Sequence, residues 1–118
     1  MIRLLVCGGR DYYDYAAVER ALDRVHAEIG ISLLIHGAAR GADTLAEYWA
    51  KSRGVETLPF PALWRAYGYG AGPIRNQKML DEGRPDKAVA FPGGPGTADM
   101  IYKARRAGIK VWEPMKLT

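Results

Sequence analysis

A short apolar run that breaks at glycine and leads into a helical pattern occurs three times in this chain, and this alternation restricts the fold more than any other feature. The runs are Ile2–Cys7, Ser32–His36 and Ala88–Phe91, followed by loops that begin at Gly8-Gly9, Gly37 and Pro92-Gly93-Gly94. Apolar runs this short, bounded by turn residues, read as strands buried within a sheet. Behind the first, Asp14 precedes Val18, Leu22, Val25 and Ile29 at helical spacing, with Gly30 as the stop. Behind the second, Thr44 to Arg53 sets Leu45, Tyr48 and Trp49 on one side of a helix that ends at Gly54, and a further strand follows at Val55–Leu58. Behind the third, a helix runs through Ile101, Ala104 and Arg105 to Gly108, and a last strand spans Ile109–Trp112. Strands separated by helices predict a parallel βαβ sheet.

One segment interrupts the pattern. From Phe60 to Pro73, prolines and glycines alternate with Trp64, Tyr67 and Tyr69, which predicts a long aromatic loop; a helix from Ile74 to Leu80 and a turn at Gly83–Asp86 lead into the fourth strand. The expected architecture is a single α/β domain, residues 1–118, built on a doubly wound sheet of about five parallel strands. Its ligand crevice lies outside the C-terminal strand ends, where the three glycine loops converge.

Composition limits the function classes. No apolar run approaches the ~20 residues that span a bilayer, and the N-terminus lacks a signal-peptide pattern, so a cytoplasmic location with no membrane partner is expected. The single cysteine, Cys7, excludes an intramolecular disulfide and reads as a buried thiol. The formal charge of +4 comes from scattered basic residues, which read first as a solvated basic surface, second as attraction to an anionic small molecule and third to nucleic acid. Three tryptophans and seven tyrosines predict an exposed apolar patch and a homodimer.

The candidate site residues follow from the loops. Gly93, Gly94 and Gly96 permit positive φ and close approach of a ligand to the backbone, Pro92 precedes them, and Thr97 caps the following helix or donates its hydroxyl to the ligand. Free amides at such a helix start attract phosphate. Gly8, Gly9, Arg10 and Asp11 form a second anion nest, in which Asp11 accepts from a ribose or caps a helix. Gly37, Arg40, Gly41 and Asp43 form a third, in which Arg40 grips phosphate bidentately and Asp43 either contacts ligand or caps. Arg75 and Asn76 are expected at another helix start, and Trp64 or Tyr67 to stack on a base or to cover the core. His26 and His36 lack companions at metal-ligand spacing, so neither metal nor cofactor is expected. The third glycine of the dinucleotide fingerprint, a Gly-Lys-Ser/Thr phosphate loop and a GxSxG elbow are all missing.

Cys7–Tyr12, His36–Asp43, Trp64, Ala71–Met79 and Ala90–Asp99, in that order, resemble the YspA/YpsA-related branch of the SLOG superfamily. The resemblance implies a three-layer Rossmann-like fold and the binding, for sensing or processing, of a nucleotide or nucleotide-derived ligand. The superfamily includes the LOG enzymes, which hydrolyse cytokinin nucleoside 5′-monophosphates; their PGGxGTxxE motif resembles Pro92–Met100, and their catalytic arginine resembles Arg75. Where they carry the catalytic glutamate this chain has Met100, and a thioether neither stabilises an oxocarbenium ion nor activates water. An N-glycosidic hydrolase would therefore draw its carboxylate from Asp11, Asp43 or Asp99. The DprA-like proteins of the same superfamily bind single-stranded DNA, which makes single-stranded nucleic acid the third implied ligand class.

Overall fold

The computed structural model describes residues 1–117; Thr118, at the end of the expected domain, lies outside the described residues. Five parallel strands, β1 (Ile2–Cys7), β2 (Ile31–His36), β3 (Glu56–Pro59), β4 (Lys87–Ala90) and β5 (Lys110–Trp112), form one sheet in the order β3-β2-β1-β4-β5. The chain winds outward from β1 to β3, crosses the sheet and continues through β4 to β5. The order therefore reverses between β1 and β4, where Leu5 pairs with Ala88 and Cys7 with Ala90. Doubly wound sheets bind their ligands at this switch point.

Period-two alternation along the strands builds two cores. Leu4 and Val6 of β1, Leu34 of β2 and Val89 of β4 face the layer of α1 (Tyr15–Glu28) and α2 (Ala42–Arg53), where they meet Val18, Leu22 and the fully buried Trp49. Leu5, Cys7, Ile35, Ala88 and Ala90 face the opposite layer, filled by Met79, Leu80, Met100 and Ala104. That layer consists of α4 (Ala71–Lys78), which continues into a π turn at Met79–Gly83, and α5 (Pro95–Arg106). The expected doubly wound α/β sheet is thus the one observed, with helices on both faces.

Trp49 is also fixed at its polar end. Its indole donates to Asp23 Oδ1 (2.9 Å), which Arg53 Nε also contacts at 2.9 Å, while His26 packs edge-on to the ring at 5.7 Å. Burying the indole without this acceptor would strand a donor.

Three expected local structures are corrected. The segment from Phe60 to Pro73 is not one loop: it contains α3 (Trp64–Tyr67) and a 3-10 turn at Gly68–Gly70, and α4 already begins at Ala71. Pro73 is compatible with that start because first-turn amides have no intrahelical acceptor to lose. Arg75 and Asn76 consequently lie in the second half of α4, not at its N-terminus. Asp14 does cap α1, accepting from the Ala17 amide at 3.1 Å. Neither Thr97 nor Asp43 caps a helix, since the N-cap positions of α5 and α2 are Gly94 and Gly41.

Candidate functional site

The cleft lies at the switch point and encloses about 860 Å³, within the range of small-molecule sites. Its floor is the end of β1, Val6 and Cys7, with Met79 and Met100 from the helical layer. Gly8, Gly9 and Arg10 enter from the first loop, Gly37, Ala39 and Asp43 from the second, Trp64, Tyr69, Arg75 and Asn76 from the interrupted segment, and Gly94, Gly96, Thr97 and Asp99 from the last.

Arg75 reaches the cleft because Gly37 has no side chain. A Cβ at residue 37 would stand 2.8 Å from the Arg75 Cζ. In that gap Arg75 Nη1 donates to the Gly37 carbonyl, and Nε donates to Asn76 Oδ1 at 3.0 Å. Its remaining Nη donors have no partner among the described residues, and neither Arg75 nor Arg10 forms an ion pair there. Burial lowers the Arg75 guanidinium below its ordinary value; the Asp43 carboxyl opposes that shift and the Arg10 cation adds to it. Two guanidiniums that repel one another across a cleft create a field that a bound anion relieves.

Asp43 is a positioning group. Its Oδ2 accepts from the amides of Gly37 (3.1 Å) and Ala39 (3.2 Å), holding the second loop against the start of α2. Burial raises its carboxyl above the ordinary value, only partly offset by the Ala39 amide and by His36 and Arg75. Beside it, His36 Nδ1 accepts from the Ala38 amide at 3.0 Å, so that the proton sits on Nε2, 2.6 Å from Glu47 Oε1. At the floor, burial pushes the Cys7 thiol up to about 12, with Asp43 adding to the shift, so it stays protonated and unreactive.

The far wall is the first turn of α5. Pro95 occupies the first helical position, no side chain caps the helix, and the amides of Gly96 and Thr97 have no acceptor among the described residues. Gly93, Gly94 and Gly96 do not use positive φ, contrary to expectation; the glycines that do are Gly30, Gly41, Gly54, Gly68 and Gly108. Gly93 is needed for packing, since a Cβ there would lie 2.7 Å from the Gly9 nitrogen, whereas around Gly94 and Gly96 there is open space. Asp99 lines the cleft but is engaged by Asn76 Nδ2 (3.0 Å) and Lys103 Nζ (2.9 Å); Asn76 also donates to the Gly96 carbonyl at 3.2 Å. Lys103 was missed in the sequence, although its spacing of four residues from Asp99 is that of a helical ion pair. Met100, at 1 % exposure, belongs to the core as well as to the cleft floor.

Not every expected residue faces this cleft. Asp11 and Arg40 turn outward, their side chains 96 % and 76 % exposed, and among the described residues they pair with each other at 3.4 Å. Gly41 is structural, with φ +79° and a position where a Cβ would lie 2.5 Å from the Arg10 carbonyl carbon. Pro92 and Gly93 line a smaller neighbouring groove of about 400 Å³ with Glu113, Met115 and Lys116.

Sheet order, crevice and glycine loops together define a doubly wound α/β protein with its cleft at the switch point. Residues 2–67 match the model of the YspA, cpYpsA-related SLOG family, and the chain belongs to that family. It is 37 % identical over 119 residues to the Gene 61 protein of Mycobacterium phage D29, covering 94 % of each chain. Membership supports a general nucleotide- or phosphate-related role. Among the described residues no helix is long and apolar enough to cross a membrane.

Proposed function

We propose that this protein binds a nucleotide or nucleotide-derived phosphate in the switch-point cleft. The observation that carries this reading is the pairing of two arginines that form no ion pair among the described residues, Arg10 and Arg75, with the uncapped first turn of α5 across the same cavity. Phosphate sits on the Gly96 and Thr97 amides, and Arg75 neutralises it with the donors not spent on Gly37 and Asn76. Binding is favoured over N-glycosidic hydrolysis by the state of the three carboxylates. Asp11 lies outside the cleft lining, Asp43 is committed to two loop amides, and Asp99 is held by Lys103 and Asn76.

The test is a thermal-shift screen of nucleoside mono-, di- and triphosphates, cyclic dinucleotides, NAD and ADP-ribose against wild type, Arg75→Ala and Thr97→Ala. The expected result is stabilisation of wild type by at least one compound, lost in both variants, with no free base released on prolonged incubation. Absence of stabilisation of the folded wild type across the panel rejects the reading. Base release abolished by Asp99→Asn replaces it with hydrolysis.

A further inference from the structure

The rim of the cleft holds a stacked pair whose aromatic member, Trp64, the phosphate site does not use. The Arg10 guanidinium lies 4.9 Å from the ring centroid of Trp64. Both residues line the cleft, and the indole is 45 % exposed. Trp64 starts α3, and its Cη2 lies near Gly72 in the first turn of α4, where even a Cβ would stand 3.6 Å away. The ring therefore stands half-exposed at the mouth of the cavity, with one edge towards Gly72 and room for a flat partner. Arg10 has no ion pair among the described residues, so this ring is what holds its guanidinium in place of an anion.

Resting on the phosphate-binding reading above, we propose that Trp64 is the platform for the aromatic base of the ligand and that Arg10 is its placeholder, which leaves the ring for the phosphate when a nucleotide enters. An exposed guanidinium over an indole is held weakly, and a base stacks on the same face more strongly. The displaced Arg10 gains charge-assisted bonds to the anion, so base and phosphate are recognised through one exchange. This makes Trp64 the specificity-determining residue that separates a nucleotide from a phosphosugar, and it makes Arg10 favour ligands that carry both parts.

The probes are adenosine 5′-monophosphate, ribose 5-phosphate and adenosine, titrated calorimetrically into wild type, Trp64→Ala, Trp64→Phe and Arg10→Ala, each checked for folding by circular dichroism. Trp64→Ala is expected to weaken adenosine 5′-monophosphate about 5- to 150-fold and to leave ribose 5-phosphate unchanged, while Trp64→Phe restores most of the loss. Arg10→Ala is expected to weaken adenosine 5′-monophosphate but to tighten adenosine about 2- to 5-fold by vacating the ring. Equal losses for the nucleotide and the phosphosugar in Trp64→Ala, or unchanged nucleotide binding there, would overturn the platform while leaving the phosphate site standing. Adenosine weakened by Arg10→Ala would overturn the placeholder role. Wild type that binds neither phosphate compound overturns this proposal, and the reading beneath falls with it only when the wider nucleotide panel also leaves the folded protein unstabilised.

Discussion

Gly96 separates the demands of folding from those of binding. It occupies the second position of α5, its φ is not positive, and a Cβ built there meets nothing within 4 Å. For the fold alone alanine is the better residue. Glycine within a helix costs about 0.5–1 kcal/mol relative to alanine, and the lower figure of about 0.5 suits a first turn. At about 2.1 cal/mol/K per residue, the 118 residues unfold with an entropy of about 0.25 kcal/mol/K, so Gly96→Ala should raise Tm by about 2 °C. The empty space around the added methyl is, in this account, where phosphate meets the Gly96 and Thr97 amides. Losing one charge-assisted bond of about 1.5–3 kcal/mol should weaken adenosine 5′-monophosphate roughly 10- to 150-fold. Differential scanning fluorimetry without ligand and calorimetry with it read the two effects separately. A variant that is more stable and binds equally well refutes the placement of phosphate at this turn; one that is less stable refutes the structural premise.

Gly41→Ala should behave in the opposite way. Its backbone conformation costs a residue with a Cβ about 1–3 kcal/mol, and overlap with the Arg10 backbone adds about as much; a total of about 3 kcal/mol corresponds to a Tm lowered by about 12 °C. A change under a few degrees would show that the first two loops are not packed as described. Two carboxylates should shift stability oppositely with pH. Burial pushes the Glu47 carboxyl up, but hydrogen bonds from His36, Thr57 and Lys51 more than offset this and hold it below its ordinary value. Its contribution is therefore present above about pH 4.3 and lost as pH falls through the folded-state value, and the Tm advantage of wild type over Glu47→Gln should shrink on acidification. The Asp43 carboxyl is raised, so its contribution is full below about pH 3.9 and lost as pH rises through the folded value. Wild type should thus lose ground to Asp43→Asn as pH climbs, and Tm differences independent of pH in either variant would contradict the assignments.

Much of the fold was legible because buried parallel strands and glycine-ended loops leave strong local marks. Leu4, Val6, Leu34 and Val89 mark one face of the sheet and Leu5, Ile35 and Ala88 the other, and the loops after Cys7, His36 and Phe91 converge as parallel topology requires. The crossing segment was not legible: Gly68, Gly70, Gly72 and Pro73 break the periodicity, and the helix start at Ala71 depends on tolerance of proline in a first turn. That shift of a few residues moved Arg75 from a helix N-terminus to the second half of α4. Its approach to the cleft depends instead on the missing Cβ of Gly37, a long-range contact with no sequence signature. Directions of side chains were equally hidden. Asp11 and Arg40 stand in the same glycine-rich loops as Arg10 and Asp43, yet the first two pair in solvent and the latter two line the cavity. Similarly, Met100 and Asp99 are neighbours about 100° apart around α5, which puts the thioether in the core and the carboxylate within reach of Asn76 and Lys103.

The most direct measurement is a titration of the 15N-labelled protein with adenosine 5′-monophosphate, following backbone amides and tryptophan indoles by NMR. The account predicts the largest amide shifts at Gly96 and Thr97, accompanied by a shift of the Trp64 indole, with the buried Trp49 indole unmoved and all changes absent in Arg75→Ala. Saturable binding whose largest shifts fall elsewhere, at Met115 and Lys116 of the smaller groove or on the exposed faces of α1 and α2, would contradict it.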